Sequence, residues 1–274
     1  MTRQADKATA FRALHERPGA FVIPNPWDVG SARLLQGLGF EALATTSAGF
    51  ANALGKLDGQ TRLEEKLIHC QALAAATDVP ISADFENGFA HEPDAVAINL
   101  MRVAEAGVVG ASIEDFTRDE TRPIYDFALA VERVQAAAEA ARKLVFPFTL
   151  TARAENLLHG IRDMDDTIRR LQAFAAAGAD VVYAPGLRTL EQVEAVTRAV
   201  DKPVNVLAPM VRGATVAALA KAGAKRLSLG SALANAALAA AIRAGKELRE
   251  SGGFDWLGGL VPGTEIAQLI GDGG

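Results

Sequence analysis

The feature that most limits what this chain can fold into is an alternation. Short apolar runs of strand length recur between longer, alanine-rich stretches with helical spacing along the whole chain. The strand runs fall at 21–25, 42–47, 80–86, 108–115, 145–153, 180–185, 203–209 and 226–230. Helical spacing occupies 31–38, 64–76, 94–106, 128–142 and 163–177. Strands alternating with helices of this length predict βαβ units and a parallel sheet. Several helices stop at an Ala-Gly step before the next strand: Ala106-Gly107, Ala177-Gly178 and Ala222-Gly223. Glycine there takes the left-handed conformation that ends a helix and turns the chain back.

Eight such units in roughly 250 residues are what a (β/α)8 TIM barrel requires. The chain has 274 residues. At about 150 residues per domain two domains would be allowed, but α/β barrels run longer as one. With no linker or low-complexity stretch, 1–274 is read as one barrel domain with a C-terminal helical extension. The competing fold is an open doubly wound sheet. Its Gly-x-Gly-x-x-Gly fingerprint is absent after the first strand, where Asn25-Pro26-Trp27-Asp28 stands.

Composition narrows the function classes. A single cysteine, Cys70, excludes a disulfide scaffold or a cysteine-built zinc site and fits a reducing compartment. No run approaches 18 apolar residues, and the first twenty residues carry scattered charges, so neither a membrane span nor a signal peptide is expected. A net charge of -5 argues against nucleic acid or anionic membranes as partners. A cytoplasmic location is expected.

In a barrel, chemistry gathers where strands end, at the C-terminal face. The exits carry Asn25, Trp27 and Asp28; Thr45, Thr46 and Ser47, with Asp58 in the loop beyond; Asp84 and Glu86; Glu114 and Asp115; Arg153 and Glu155; Tyr183; Asn205; and Ser228. No lysine lies in a strand or at its exit, which disfavours Schiff-base chemistry. Asp84, Glu86 and Glu114 come from adjacent strands, and clustered carboxylates repel unless a cation or a proton compensates them. Carboxylates with water suit Mg²⁺, with Mn²⁺ as a substitute. Arg153 is a bidentate partner for a carboxylate. Metal, arginine and the Thr46–Ser47 cradle together suit a small 2-oxo acid, whose enolate the metal would stabilise. The bland alternative is that these acids and Arg153 merely pair to plug the barrel mouth. His15 and His69 fall on predicted helices, while His91 and His159 lie in loops on the functional side, as candidate acid–base groups or solvated side chains.

Five segments resemble the isocitrate lyase/phosphoenolpyruvate mutase superfamily: Asn25-Pro-Trp-Asp-Val-Gly-Ser-Ala-Arg33, the run from Gly39 to Ala48, Ala83-Asp-Phe-Glu-Asn-Gly-Phe89, Ser112-Ile-Glu-Asp115 and Thr151-Ala-Arg153. The resemblance covers about 20–235 and implies an eight-stranded barrel, Mg²⁺, and a 2-oxo acid or its enolate. It also implies a last helix exchanged between subunits of a dimer or a dimer of dimers, up to a homotetramer. Carried over by motif, Asp84 and Glu114 belong to the metal shell and Asp58 lies near it. Thr46, Ser47 and Ala48 cradle the substrate, Arg153 clamps its carboxylate, and Asn205 sits near a substrate position. Glu86 is added to the metal set because Ser82 replaces the first aspartate of the family's Asp-x-Asp motif. Trp27 is expected to cover the site or fill the barrel top.

The loop after the fourth strand, 116–124, lacks the Cys and Gly-His of the isocitrate-cleaving branch and the lysine of the mutase branch. The expected activity is therefore a Mg²⁺-dependent lyase of a divergent branch, cleaving or decarboxylating a small 2-oxo carboxylate or dicarboxylate. In that reading Arg153, Glu114 and Asp58 are the catalytic residues. The alternatives are a non-catalytic barrel that binds a 2-oxo acid as sensor or buffer, and a phosphate site at Gly230-Ser231.

Overall fold

The computed structural model describes residues 3–272. Eight parallel strands run β1 (Phe21–Ile23), β2 (Leu43–Ala44), β3 (Ile81–Asp84), β4 (Gly110–Glu114), β5 (Thr149–Arg153), β6 (Val181–Tyr183), β7 (Val204–Leu207) and β8 (Arg226–Ser228). Each pairs with its sequence neighbour from β2 to β8, and β8 returns to β1. The remaining seam is bridged where the Ala44 N–H donates to the Pro24 carbonyl at 3.0 Å. The architecture is the expected (β/α)8 barrel.

Eleven α-helices are present among the described residues. The helix α1 (Gln4–Glu16) precedes the first strand. It carries Ala8, Phe11 and Leu14 at helical spacing, all buried. With Phe21, Ile23, Ala42 and Val109 they close the bottom of the barrel as a separate apolar cluster. Gly110 is where this plug touches the sheet. A Cβ there would stand 2.7 Å from the Thr149 carbonyl and 3.1 Å from the Phe11 ring. The main core lies between sheet and helices, where the faces of α2 (Val29–Gly37), α4 (Leu63–Ala76), α5 (Pro93–Glu105), α6 (Phe127–Ala141) and α7 (Met164–Ala176) cover the strands.

Strand exits are shorter than the apolar runs suggest. The run at 145–153 yields strand only from Thr149, because Pro147 cannot donate to the ladder and Val145 is fully exposed. A short helix, α3 (Ser47–Ala53), begins directly at the exit of β2, capped by the Thr46 hydroxyl. The sixth and seventh crossovers carry α8 (Leu190–Ala199) and α9 (Val216–Lys221). After β8 the chain forms α10 (Ala232–Glu250), on which Ala234 alone is buried, and α11 (Gly263–Asp272). The latter packs on α2 of its own chain so closely that a Cβ at Gly37 would overlap the Leu269 carbonyl. No described helix is long and apolar enough to cross a membrane.

Candidate functional site

The strand exits surround a cavity of about 190 Å³ that runs down into the barrel. A larger hollow of about 500 Å³ opens at the opposite end, beside Arg12, Arg142 and Lys202, and no strand exit reaches it. In a barrel chemistry gathers at the strand exits, which makes the smaller one the candidate site.

Arg153, the last residue of β5, organises the mouth. Its Nη1 meets Asp84 Oδ1 at 2.7 Å, its Nη2 meets Glu114 Oε2 at 3.3 Å, and its Nε donates to Glu155 Oε1 at 2.9 Å. The guanidinium also lies 5.0 Å from the centre of the Tyr183 ring. Pairing across the sheet explains the convergence, since Glu114, Arg153 and Tyr183 are direct register neighbours on β4, β5 and β6. Asp84 is fixed further by the Ser47 N–H, which donates to its Oδ2 at 2.9 Å.

One guanidinium among three carboxylates leaves an excess of negative charge. Burial opposes ionisation of Asp84, but Arg153 and Lys66 outweigh it and hold this carboxyl below its usual range. Glu114 goes the other way: burial, with Glu155 and Asp84 adding repulsion, raises it well above the usual range despite Arg153. Burial disfavours the charge on Arg153 as well, yet Glu155, Glu114 and Asp84 together push its pKa up. Ionising all three carboxyl groups at once therefore needs more positive charge than Arg153 alone supplies.

Of the residues expected at the site, Thr46, Ser47, Ala48, Asp58, Asp84, Arg153 and Asn205 line the cavity. Asp58 stands exposed on the rim, and Asn205 is buried lower down, donating to Ser228 Oγ at 3.0 Å. The Ser47 N–H faces Asp84 and not the open space. Trp27 does not line the cavity; it packs against the start of α3, its Cβ 3.1 Å from where a Cβ on Gly49 would sit. Gly230 and Ser231 reach the rim, but the Ser231 side chain caps nothing.

The expected metal set of Asp84, Glu86 and Glu114 is not assembled. Asp84 and Glu114 meet on Arg153, whereas Glu86 turns away. Strand alternation would put Glu86 on the same side as Asp84, but β3 ends at Asp84 and Glu86 takes a left-handed φ of 50°. Its carboxylate accepts from Thr61 Oγ1 at 3.2 Å, lies 3.9 Å from Lys66 Nζ, and forms an ion pair with Arg118. Phe89 and Arg118, the two other non-glycine residues with positive φ among the described residues, join this contact, Arg118 lying 5.2 Å from the Phe89 ring centre. Such backbone costs about 1–3 kcal/mol per residue and persists only where its surroundings enforce it. Among the described residues no three His, Cys, Asp or Glu side chains are arranged to hold a metal between them.

Two further residues, with no role predicted from the sequence, support the site. Glu155, at the exit of β5, is almost fully buried and holds Arg153. Lys66, which like every lysine lies outside the strands and their exits, reaches Glu86 with a fully buried side chain. The only signal for Lys66 was its place within the apolar stripe of α4. Of the loop histidines, His159 stacks on Phe116 at 3.9 Å and lies 3.9 Å from Glu155, and His91 Nδ1 meets the Tyr125 hydroxyl at 2.6 Å.

Known proteins share both sequence and fold with this chain. A solved structure of a protein from Burkholderia cenocepacia J2315, assigned as a lyase/mutase, superposes with a TM-score of 0.93 at 53% identity, covering 97% of this chain and 96% of that one. A protein of Mycobacterium tuberculosis H37Rv with no characterized activity is 32% identical over 95% of this chain and 96% of its own length. An oxaloacetate decarboxylase of Paraburkholderia xenovorans is 30% identical over 71% of this chain and 66% of its own length. The profile of the phosphoenolpyruvate phosphomutase family matches residues 11–249. Barrel, strand-exit chemistry and these likenesses agree: the chain belongs to the phosphoenolpyruvate phosphomutase family, within the isocitrate lyase/phosphoenolpyruvate mutase superfamily of carbon–carbon lyases and mutases.

Proposed function

We propose that the protein is a divalent-metal-dependent lyase that cleaves or decarboxylates a small 2-oxo carboxylate or dicarboxylate, with oxaloacetate the first candidate. The observation that carries this reading is the charge imbalance at the mouth: Asp84, Glu114 and Glu155 around one arginine. The activity of the Paraburkholderia relative supports the substrate class.

Mg²⁺, with Mn²⁺ as substitute, fits the donor set that is present. It is commonly held by one or two carboxylates with water filling the remaining positions, and Asp84 and Glu114 supply two, with Asp58 on the rim. Glu86 is left out of this set. When bound, the cation supplies the missing positive charge and a Lewis acid for a 2-oxo group.

The chain's own residues do the rest. Arg153 presents a planar fork to the substrate carboxylate, held in place by Glu155 on one edge and Tyr183 on one face. Asp84 fixes the start of α3 through the Ser47 N–H, which sets Thr46 and Ala48 along the cavity wall. The apolar side chains of Leu158 and Leu207 border the space and limit water. We further propose that the protein works as a homo-oligomer, a dimer or a dimer of dimers, through the apolar side chains exposed on α10 and after it, such as Leu238, Ile242 and Phe254. Light scattering reads this directly.

Activity is tested by a proton NMR time course with Mg²⁺ and oxaloacetate, 2-oxoglutarate and substituted malates, with Asp84→Ala alongside because Mg²⁺ alone slowly decarboxylates oxaloacetate. Loss of one compound with the wild type only is the expected result. Turnover equal in both proteins would overturn the assignment of the metal residues. Binding without turnover would leave a sensor or buffer of oxo acids.

A further inference from the structure

The floor of the same cavity holds a second arginine whose situation is the reverse of the first. Arg226 opens β8, is 4% exposed, and lines the cavity together with Arg153. Its Nε donates to Asn205 Oδ1 at 2.8 Å, its Nη2 to Thr151 Oγ1 at 2.8 Å, and its Nη1 lies 3.5 Å from His15 Nε2. A guanidinium carries five N–H donors, so these contacts leave donors over. Among the described residues no carboxylate pairs with it. Every partner is neutral: an amide, a hydroxyl and an imidazole that burial, with Arg226 and Lys225 adding to it, holds unprotonated down to about 3. Buried charges are ordinarily paired because desolvation is so costly. Burial accordingly lowers the pKa of Arg226 to about 10, with Arg153 adding repulsion.

The sheet register shows how the two arginines are related. Arg153 pairs with Tyr183, Tyr183 with Asn205, and Asn205 with Arg226, in one row across four strands. Three steps of about 4.8 Å between strands tilted by about 36° descend about 8 Å along the barrel axis. The space between is kept open by small side chains, Ala44, Ser82 and Ser112, where a barrel interior is usually filled by bulky branched residues. At about 30 Å³ per water, the cavity of about 190 Å³ has room for one small acid or about six waters.

We propose that Arg226 is an anion subsite on the cavity floor, which takes the distal carboxylate of a short 2-oxo diacid whose oxo-acid end lies at Arg153. This rests on the oxo-acid reading of the mouth and adds to it a preference for diacids over monoacids. A cation without a counter-ion at one end and a carboxylate-rich ring at the other give the cavity a polarity that a diacid held through a cation at the mouth complements at both ends. A monoacid of equal length leaves the floor charge buried and unmatched.

The test uses the full-length protein with Mg²⁺ and two pairs of ligands matched in length, oxaloacetate with 2-oxobutanoate and 2-oxoglutarate with 2-oxopentanoate, titrated calorimetrically in the cold. The wild type is expected to bind one diacid at least thirtyfold more tightly than its monoacid partner. Arg226→Gln, which keeps a donor toward Thr151, should weaken that diacid at least tenfold and leave the monoacid within twofold. Arg226→Lys should restore part of the preference, and it carries the test alone if the glutamine variant does not fold. Equal weakening of both ligands would make Arg226 a support of the barrel only and overturn the subsite. An unchanged preference in both variants would place the distal carboxylate elsewhere and overturn it too. If the wild type binds neither member of either pair, the oxo-acid reading itself fails, and the subsite with it; monoacid binding without a diacid preference overturns the subsite alone.

Discussion

The mouth and the floor of the barrel each centre on one buried arginine, yet their surroundings are opposite. Arg153 sits among Asp84, Glu114 and Glu155, and its charge is reinforced. Arg226 sits among Asn205, Thr151 and His15, and burial works against its charge. The same side chain thus serves a ring with too much negative charge and a floor with too little. Position along the strand decides which: Arg153 ends β5 and meets the carboxylates of the exits, whereas Arg226 begins β8 and meets the helix that plugs the bottom.

This contrast can be broken most severely at the mouth. Arg153→Ala removes the proposed substrate clamp and leaves Asp84, Glu114 and Glu155 facing one another. Truncating one partner of a buried charge pair costs about 2–5 kcal/mol, so kcat/KM should fall by about 30- to 4,000-fold. Arg153→Lys should recover little, since an ammonium cannot replace the fork. Steady-state kinetics on the substrate found by NMR would show this, and unchanged kcat/KM in the alanine variant would remove Arg153 from the site.

An intermediate effect is expected at the floor. Burial, followed by the nearby Arg226 and Lys225, lowers the His15 pKa from an ordinary 6.5 to about 3. Because the folded value is the lower one, the stability due to neutral His15 is complete above pH 6.5 and is lost progressively as pH falls toward 3. Between pH 6.5 and pH 5 the loss amounts to about 2 kcal/mol at 1.36 kcal/mol per unit. In His15→Gln the drop in Tm over that interval should be smaller than in the wild type, measured by thermal melts across pH. Equal slopes would mean that His15 is not held neutral by its surroundings.

The smallest effect distinguishes two carboxylates only two residues apart. Asp84→Asn should abolish most Mg²⁺ binding, while Glu86→Gln should change Mg²⁺ affinity by less than about threefold, or about 0.6 kcal/mol. Titration calorimetry with Mg²⁺ decides this. Comparable losses in both variants would return Glu86 to the metal shell.

Asp84 and Arg153 were legible because both end strands, and in a barrel the exits face one site. Glu86 departs from the expected set because β3 ends at Asp84, and beyond it a left-handed φ turns this carboxylate toward Lys66 and Arg118. Lys66 was missed because a helix residue's reach depends on how the helix docks. Arg226 was missed because it begins its strand, and only strand tilt carries that position into the cavity.

By itself the sequence determined the alternation of strands and helices, the eightfold count, and the acid-rich exits facing one arginine. Those follow from local periodicity and from the fixed polarity of a parallel barrel. The tertiary structure alone decided which charges pair. Pairing depends on angstrom-scale distances between residues as far apart in the chain as Asp84 and Arg153, or His15 and Arg226. Electrostatic energy varies with separation and burial, and no spacing along the chain encodes either.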